Sequence, residues 1–518
     1  MATNFVTALY PTGQPASGEP DVSNTVGIAV SGGGSRSLSA AIGQYRALKY
    51  LGVLDQVGVI SSVSGGTWAS ASFVYLPSSF DDDDFLGAAT LDQSSITVDS
   101  LGTLSPNNLG HAPTRMGFFS DLELLHHLKS KYGYSNDVLW QGLIGERIFQ
   151  LWNLWNVGSD GLPLDYYSGD AIDFTTTIAP NNPSLTASQF TLRQRLRPLL
   201  VMNASIFSNQ TDRGAQLLPF ESSPFGIGVR QHFPAIGPGG REIGGGRIQP
   251  FAMASPNVVN VNGNLATVTP SSRSFSLVDM ASISSAAFAQ TIQDKLPEFD
   301  GLVPKYPYWP VADPADADLY WFADGGSLEN TGINALLARG VRRIISFTNT
   351  QTPLTPTSSA GSSATFDKSV QLLFGIVPDP TSRSMSEAYV ASAANATPDF
   401  LQVFETARYG DLVKGLALAN LQNGGPAMFK QTLNVLPNTN FDIAGNYQVE
   451  ILWVYNTPVP NWINLLSPDV QSAVSGLPHF PNFLTIEQLG LSATEVNALA
   501  ELSFWNLVTN QEMVTSMF

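Results

Sequence analysis

Three short segments of this chain carry residue types that together can run an acyl transfer. In Ser62-Val63-Ser64-Gly65-Gly66-Thr67-Trp68, a serine sits among small neighbours. A nucleophile needs that company when it projects from a strained strand-to-helix turn. Ser62 stands where the G-x-S-x-G pattern has its first glycine, a departure of little steric consequence. A serine that merely caps a helix suits the same letters, so alone the segment reads either way. The second segment is Asp324-Gly325-Gly326, between an apolar run and a helical pattern. An aspartate at the carboxyl edge of a sheet can take a serine proton directly, or it can cap the helix through a tight turn. The third is Ser31-Gly32-Gly33-Gly34-Ser35-Arg36. Glycines after a strand let successive N–H groups point outward at the positive end of the next helix, a cradle for a phosphate or an oxyanion. Gly244-Gly245-Gly246-Arg247 repeats the letters with no strand before it and reads as a loop.

The elements around these segments follow from periodicity. Val26–Ser31 is a β-branched run that reads as a buried strand, and Val57–Val63 as a second. Between them Leu38, Ala41, Ile42, Tyr45 and Leu48 keep a helical rhythm up to Gly52, and Thr67–Tyr75 reads as the next helix. Strand, glycine turn, helix, repeated, predicts an α/β fold with a mainly parallel sheet, the turns at its carboxyl edge. The pattern resumes at Leu199–Ala204 and Tyr320–Ala323, then in a helix over Ile333, Leu336 and Leu337 and a strand at Val341–Thr348. Residues 1–24 read as an irregular arm and 25–518 as a single catalytic domain, with about 80–200, rich in scattered aromatics, as a candidate cap. Asp81–Asp84 reads as a solvated loop, with cation binding as the minor alternative, and Thr352–Thr365 as a Ser/Thr/Pro/Gly loop beside the site. Ser492 and Glu495 predict a capping box opening a helix toward Trp505.

Composition excludes several other functions. Of the 518 residues 43% are hydrophobic and 13% charged, which is the make-up of a folded, core-rich chain. A net charge of −17 argues against a nucleic-acid partner and against adhesion to an anionic bilayer, both of which need clustered Lys and Arg. Without cysteine there is no disulfide, thiolate metal site or cysteine nucleophile. The first residues lack the basic and apolar regions of a signal peptide, and no apolar run reaches the ~20 residues of a spanning helix. The expectation is a soluble, cytoplasmic protein, peripheral at membranes if it meets them, with export by a signal-less route as the alternative.

The three motifs in order, G-G-G-x-R, S-G-G-T-W and D-G-G, resemble the superfamily of patatin, cytosolic phospholipase A2 and phospholipase B. The elbow Ser64–Trp68, Glu329-Asn330 with the following LLARGVRRIISF, and Pro219–Gly228 are similar to its phospholipase B and cytosolic phospholipase A2 branch, nearest the lysophospholipase catalytic domain. The matching segments are 26–76, 199–228 and 319–348. The resemblance implies a patatin-like three-layer α/β/α sandwich that cleaves fatty-acyl esters of phospholipids or lysophospholipids without metal or cofactor. It implies Ser64 as nucleophile, Asp324 as base of a two-residue dyad, and Gly33 and Gly34 as oxyanion donors. Arg36 matches an arginine that holds the phosphate or the developing charge, and Arg339 a second phosphate-binding arginine. The substrate would be a lipid at a membrane or micelle surface. The segment before Ser64 is short, so the calcium-dependent docking domain of some relatives is not expected.

Three rival readings remain. An acyltransferase would use the same dyad, and a catalytically inactive lipid-binding protein the same fold. A Ser-Asp-His triad would need a late histidine, which only His479 could supply, in a Pro-flanked loop.

Overall fold

The computed structural model describes residues 4–209, 216–235, 240–356, 364, 366–378, 395–485 and 488–518. Its strands in chain order are β1 (Phe5–Pro11), β2 (Val26–Val30), β3 (Val57–Val63), β4 (Tyr166–Tyr167), β5 (Phe190–Thr191), β6 (Leu199–Phe207), β7 (Leu217–Ser222) and β8 (Ile227–Phe233). They continue as β9 (Ile243–Ile248), β10 (Val258–Asn262), β11 (Leu265–Val268), β12 (Lys305–Tyr308), β13 (Asp318–Asp324), β14 (Arg343–Thr348), β15 (Ala427–Val435) and β16 (Tyr447–Tyr455). All but the small pair β4–β5 join one 14-stranded sheet. Its heart, β6-β3-β2-β14-β16, is parallel. Antiparallel β15 closes one side, and β7, β8, β9, β1, β11 and β10 extend the other.

Helices cover both faces of this heart, and the strands alternate accordingly. Ile28 and Val30 of β2, Ile345 and Phe347 of β14, and Leu452 and Val454 of β16 pack into a core shared with α1 (Gly34–Tyr50), α2 (Gly65–Val74) and the late helix Ala493–Val508. Their in-between neighbours Ala29, Ile344, Ile451 and Trp453 enter a second core on the other face, with Ile333–Leu337, Lys368–Leu373 and Tyr409–Ala417. Parallel strands buried on both faces read as continuous apolar runs, which is why β2, β3 and β14 were visible in the sequence. The late helix carries the expected Ser492–Glu495 capping box.

Several elements differ from expectation. The N-terminal arm contains β1, antiparallel to β9 and β11, because Phe5 and Leu9 bury themselves in the core. Gly244–Arg247 is not a loop but lies inside β9. Its three glycines take φ of 89°, 82° and 145°, and a Cβ on Gly244 would stand 1.9 Å from the Gln231 carbonyl oxygen. The strand is thus an irregular one that only glycine can make against β8. Asp81–Asp84 is not a solvated loop either: Asp81 caps a short helix Asp82–Leu86, and Asp82 bridges Arg195 and Arg197 at 2.6 Å each. No group able to hold a metal occurs among the described residues, and none of their helices is long and apolar enough to cross a membrane. Of the Thr352–Thr365 loop, residues 357–363 and 365 lie outside the described residues.

Candidate active site

The site is built where two strands run head-on into each other. One edge of β6 is taken by β7. On the other edge, Leu199–Asn203 pair in parallel with β3, and Ala204–Ile206 pair antiparallel with β13. Val63 therefore ends opposite Asn203 and Asp324 ends opposite the next residue, Ala204. Asp324 does not sit at the carboxyl edge of a parallel strand beside β3. It arrives from the opposite direction, and the meeting of the two strand ends brings it to Ser64.

Ser64 turns the chain from β3 into α2 with φ 52° and ψ −124°, a backbone state unfavourable for any residue with a side chain. Its N–H donates to Ser284 Oγ at 3.0 Å, and Ser284 Oγ donates to the Asn203 carbonyl at 2.6 Å. The strained turn is thus tied to the same β6 residue at which β3 ends. The close approach of the two glycine turns tightens it further. A Cβ on Gly65 would lie 2.1 Å from the Gly34 carbonyl oxygen, and one on Gly32 3.1 Å from Ser64 Cβ.

The Ser64 hydroxyl is not spent on a helix cap. Ser64 makes no side-chain cap bond to α2; instead Oγ donates to Asp324 Oδ2 at 2.8 Å. Asp324 divides its two oxygens: Oδ1 accepts from Gly326 N–H at 2.7 Å, capping the turn, while Oδ2 accepts from Ser64 and, at 3.3 Å, from Ala287 N–H. Burial pushes the Asp324 carboxyl up to about 6, against the lowering effect of Gly326, Ser64 and Ala287, all uncharged donors. A carboxylate with that affinity for protons accepts one from an attacking hydroxyl more readily than an ordinary aspartate does.

Both residues open on a cavity of about 840 Å³, including the space that communicates with solvent. Trp68, Ala287, Phe288 and Leu489 give it apolar wall, and Gly33 and Gly34 also line it. Gly34 opens α1, so its N–H belongs to the first turn of a helix, where no intrahelical acceptor exists and the dipole is positive. None of the lining residues comes from 80–200, the region read as a candidate cap. Phe118 and Trp140 of that region pack against Phe288 of the cavity wall, at 6.5 and 6.1 Å between ring centroids.

The two arginines part company. Arg36 lines the cavity, yet Nε donates to the Asn349 carbonyl at 2.9 Å and Nη1 to the Phe483 carbonyl, beside Thr485 Oγ1 at 3.4 Å. Burial lowers it to about 10, opposed by the charge of Asp367. Arg339 is nowhere in the cavity lining, which overturns its reading as a phosphate ligand. Its guanidinium bonds Glu19, Glu221 and the Ala335 carbonyl in a buried ion cluster with Arg247 and Arg230. It ends the helix Ile333–Leu337 on the second core's face, so its side chain meets that cluster and not the turn at Ser64.

Residues that sequence reasoning passed over are Ser284, Ser285 and Ala287, at the junction of Leu277–Ser284 with Ala287–Lys295. Ser285 Oγ accepts from Trp68 Nε1 at 2.9 Å and so fixes the indole. The one sequence signal for this element was Ser276 with Asp279, a capping box that the structure contains. His479, required by a triad, is exposed and does not line the cavity.

No protein-family model matches the chain. Over 84 residues, 16% of this chain and 11% of the relative, it is 38% identical to human cytosolic phospholipase A2 beta. In that stretch it resembles cytosolic phospholipase A2. Among solved structures, human GIVD cytosolic phospholipase A2 superposes with a TM-score of 0.49 at 13% identity, over 96% of this chain and 62% of that one. The same enzyme in complex with methyl gamma-linolenyl fluorophosphonate gives 0.44 at 14% identity, over 96% and 59%. The chain spans less than two thirds of the length of each of these relatives.

Proposed function

We propose that this chain is a serine lipid acyl hydrolase of the patatin and cytosolic phospholipase A2 kind, cleaving fatty-acyl esters of phospholipids or lysophospholipids. The observation that carries the reading is the 2.8 Å bond from Ser64 Oγ to the buried Asp324 carboxylate, at a strained turn facing a partly apolar cavity. The stretch similar to cytosolic phospholipase A2 beta supports the substrate class.

Ser64 Oγ attacks the ester carbonyl carbon while Asp324 takes its proton. The N–H groups of Gly33 and Gly34 hold the oxyanion, with the Arg36 charge behind them. Asp324 then gives the proton to the departing alkoxide, leaving an acyl-serine. Water adds to that ester as Asp324 takes a proton from it, and return of the proton to Ser64 releases the fatty acid.

A fluorophosphonate probe is expected to label Ser64, and a mixed phospholipid panel to yield free fatty acid and the deacylated lipid by mass spectrometry. Labelling that persists in Ser64→Ala, or a panel left intact by a labelled wild-type protein, would sink the proposal.

A further inference from the structure

The glycine turn at Gly33 and Gly34 is held by a hydroxyl from a distant part of the chain. Thr485 is buried at the wall of the Ser64 cavity, and its Oγ1 donates to the Gly33 carbonyl at 2.6 Å across 452 residues of sequence. The same carbonyl accepts the first hydrogen bond of α1, from Ser37 N–H, at 3.3 Å. The bond from the hydroxyl is short, whereas the one from the helix lies past the usual N–H···O range. Thr485 is itself well anchored. Its neighbour Phe483 is fully buried, and Asn482 Nδ2 donates to the Thr350 and Asn456 carbonyls at 2.9 Å each.

What the hydroxyl holds is one peptide plane. In a trans peptide the C=O and the N–H point in opposite directions, so fixing Gly33 O aims the N–H of Gly34. That N–H has no acceptor among the described residues. The plane is otherwise easy to turn. A flip changes ψ of Gly33 and φ of Gly34 in opposite senses, and neither residue has a side chain to resist it. Both already stand at positive φ, 147° and 52°. A flipped peptide would present a carbonyl oxygen where the oxyanion needs a donor.

We propose that Thr485 is a positioning residue for the reaction at Ser64: its hydroxyl pins the Gly33–Gly34 peptide with the N–H turned toward the oxyanion. The inference rests on the reading of Ser64 as nucleophile and of Gly34 as an oxyanion donor. Preorganised donors act on the charge that develops in the transition state, so the effect belongs in kcat and not in KM.

Thr485→Val keeps the shape and removes the hydroxyl. On a short p-nitrophenyl ester kcat is expected to fall about tenfold, with KM within about twofold; a donor removed outright costs about 10²–10³. Thr485→Ser returns the hydroxyl and should restore kcat to within about threefold. An alkyl trifluoromethyl ketone, which adds to a serine hydroxyl and leaves an oxyanion, should bind the Val variant about tenfold more weakly. The secondary alcohol of the same chain, which cannot add, should bind both proteins alike. Circular dichroism and melting curves verify that each variant is folded; if Thr485→Val is not, Thr485→Ala carries the test. Wild-type kcat in a folded variant without the hydroxyl, a loss that falls equally on KM, or a Ser variant as impaired as the Val variant overturns the proposal. A wild-type protein that neither turns over the ester nor takes a fluorophosphonate is a different failure, that of Ser64 as nucleophile, and it removes this inference as well.

Discussion

At the scale of single residues, the chemistry turns on what Asp324 does with its two oxygens. If it is the base, kcat/KM falls about tenfold per pH unit below about 6, where burial has placed its titration. An imidazole titrates near 6.5, so that acid limb does not by itself tell a dyad from a triad. Replacement does. Asp324→Asn is expected to cost about 10³-fold in kcat, as Ser64→Ala does. Gln at His111, His126, His127, His232 or His479, none of which lines the cavity, leaves activity within about tenfold. An inactive His479 variant beside an active Asp324→Asn would overturn the mechanism. Arg36 invites a separate expectation. Two of its nitrogens are held by backbone carbonyls of residues far along the chain, so Arg36→Lys loosens the glycine turn whatever the substrate. Turnover of phospholipid and of a short neutral p-nitrophenyl ester should drop together. A loss confined to phospholipid would restore the arginine to the phosphate.

At the scale of elements, the glycine turns set the tolerances. Gly65→Ala drives a methyl group into the Gly34 backbone, which belongs to α1 and cannot swing aside as a side chain would. Such overpacking costs about 3 kcal/mol. The expected result is a lowered melting temperature and loss of fluorophosphonate labelling in the protein that remains folded; a variant with wild-type labelling would show that the turns are not coupled. These turns and the strands before them were legible because local rules produce them: apolar runs for β2, β3 and β14, glycine and serine where the chain reverses. The direction of β13 was not legible. Tyr320–Ala323 carries the same apolar signature whether it runs with β6 or against it, and only the pairing with Ala204–Ile206 settles that. Arg339 misled for a related reason. Its neighbours in sequence match those of a phosphate ligand, while its partners, Glu19 and Glu221, lie 320 and 118 residues away, and nothing in the sequence marks that pairing. β9 hid because three consecutive glycines are a turn signal everywhere except in a strand that must skirt its neighbour.

At the scale of the whole molecule, the buried ion cluster joins the N-terminal segment at Glu19 to β7, β8, β9 and the end of Ile333–Leu337. Burial alone would raise Glu19 and Glu221, but the arginines around them, Arg339 foremost, outweigh it and hold both below the usual carboxylate range. The stability they contribute is fully present above about 4.3, the unfolded value, and is lost as pH falls through the folded ones. Asp324 has the opposite sign. Its raised value makes ionisation a penalty that is full above about 6 and fades below about 4. Acid unfolding is therefore governed by the cluster. Glu221→Gln leaves buried arginines short of a counter-charge and should cost about 3–5 kcal/mol in a denaturant titration at neutral pH, with a smaller difference from wild type in acid. An unchanged midpoint would mean that the remaining pairs suffice.

The shared edge of β6 also acts as a ruler. Serine and aspartate enter from spans of chain that never need to agree in length, 64–199 on one side and 207–318 on the other, because both are read off adjacent marks, Asn203 and Ala204. Whole modules can be spliced into either span without changing the spacing of the pair. One residue inserted between the marks would part them by about 3.4 Å and turn every later side chain of β6 to the other face. Among chains that keep this chemistry, length should vary freely in those spans and not at all in β6.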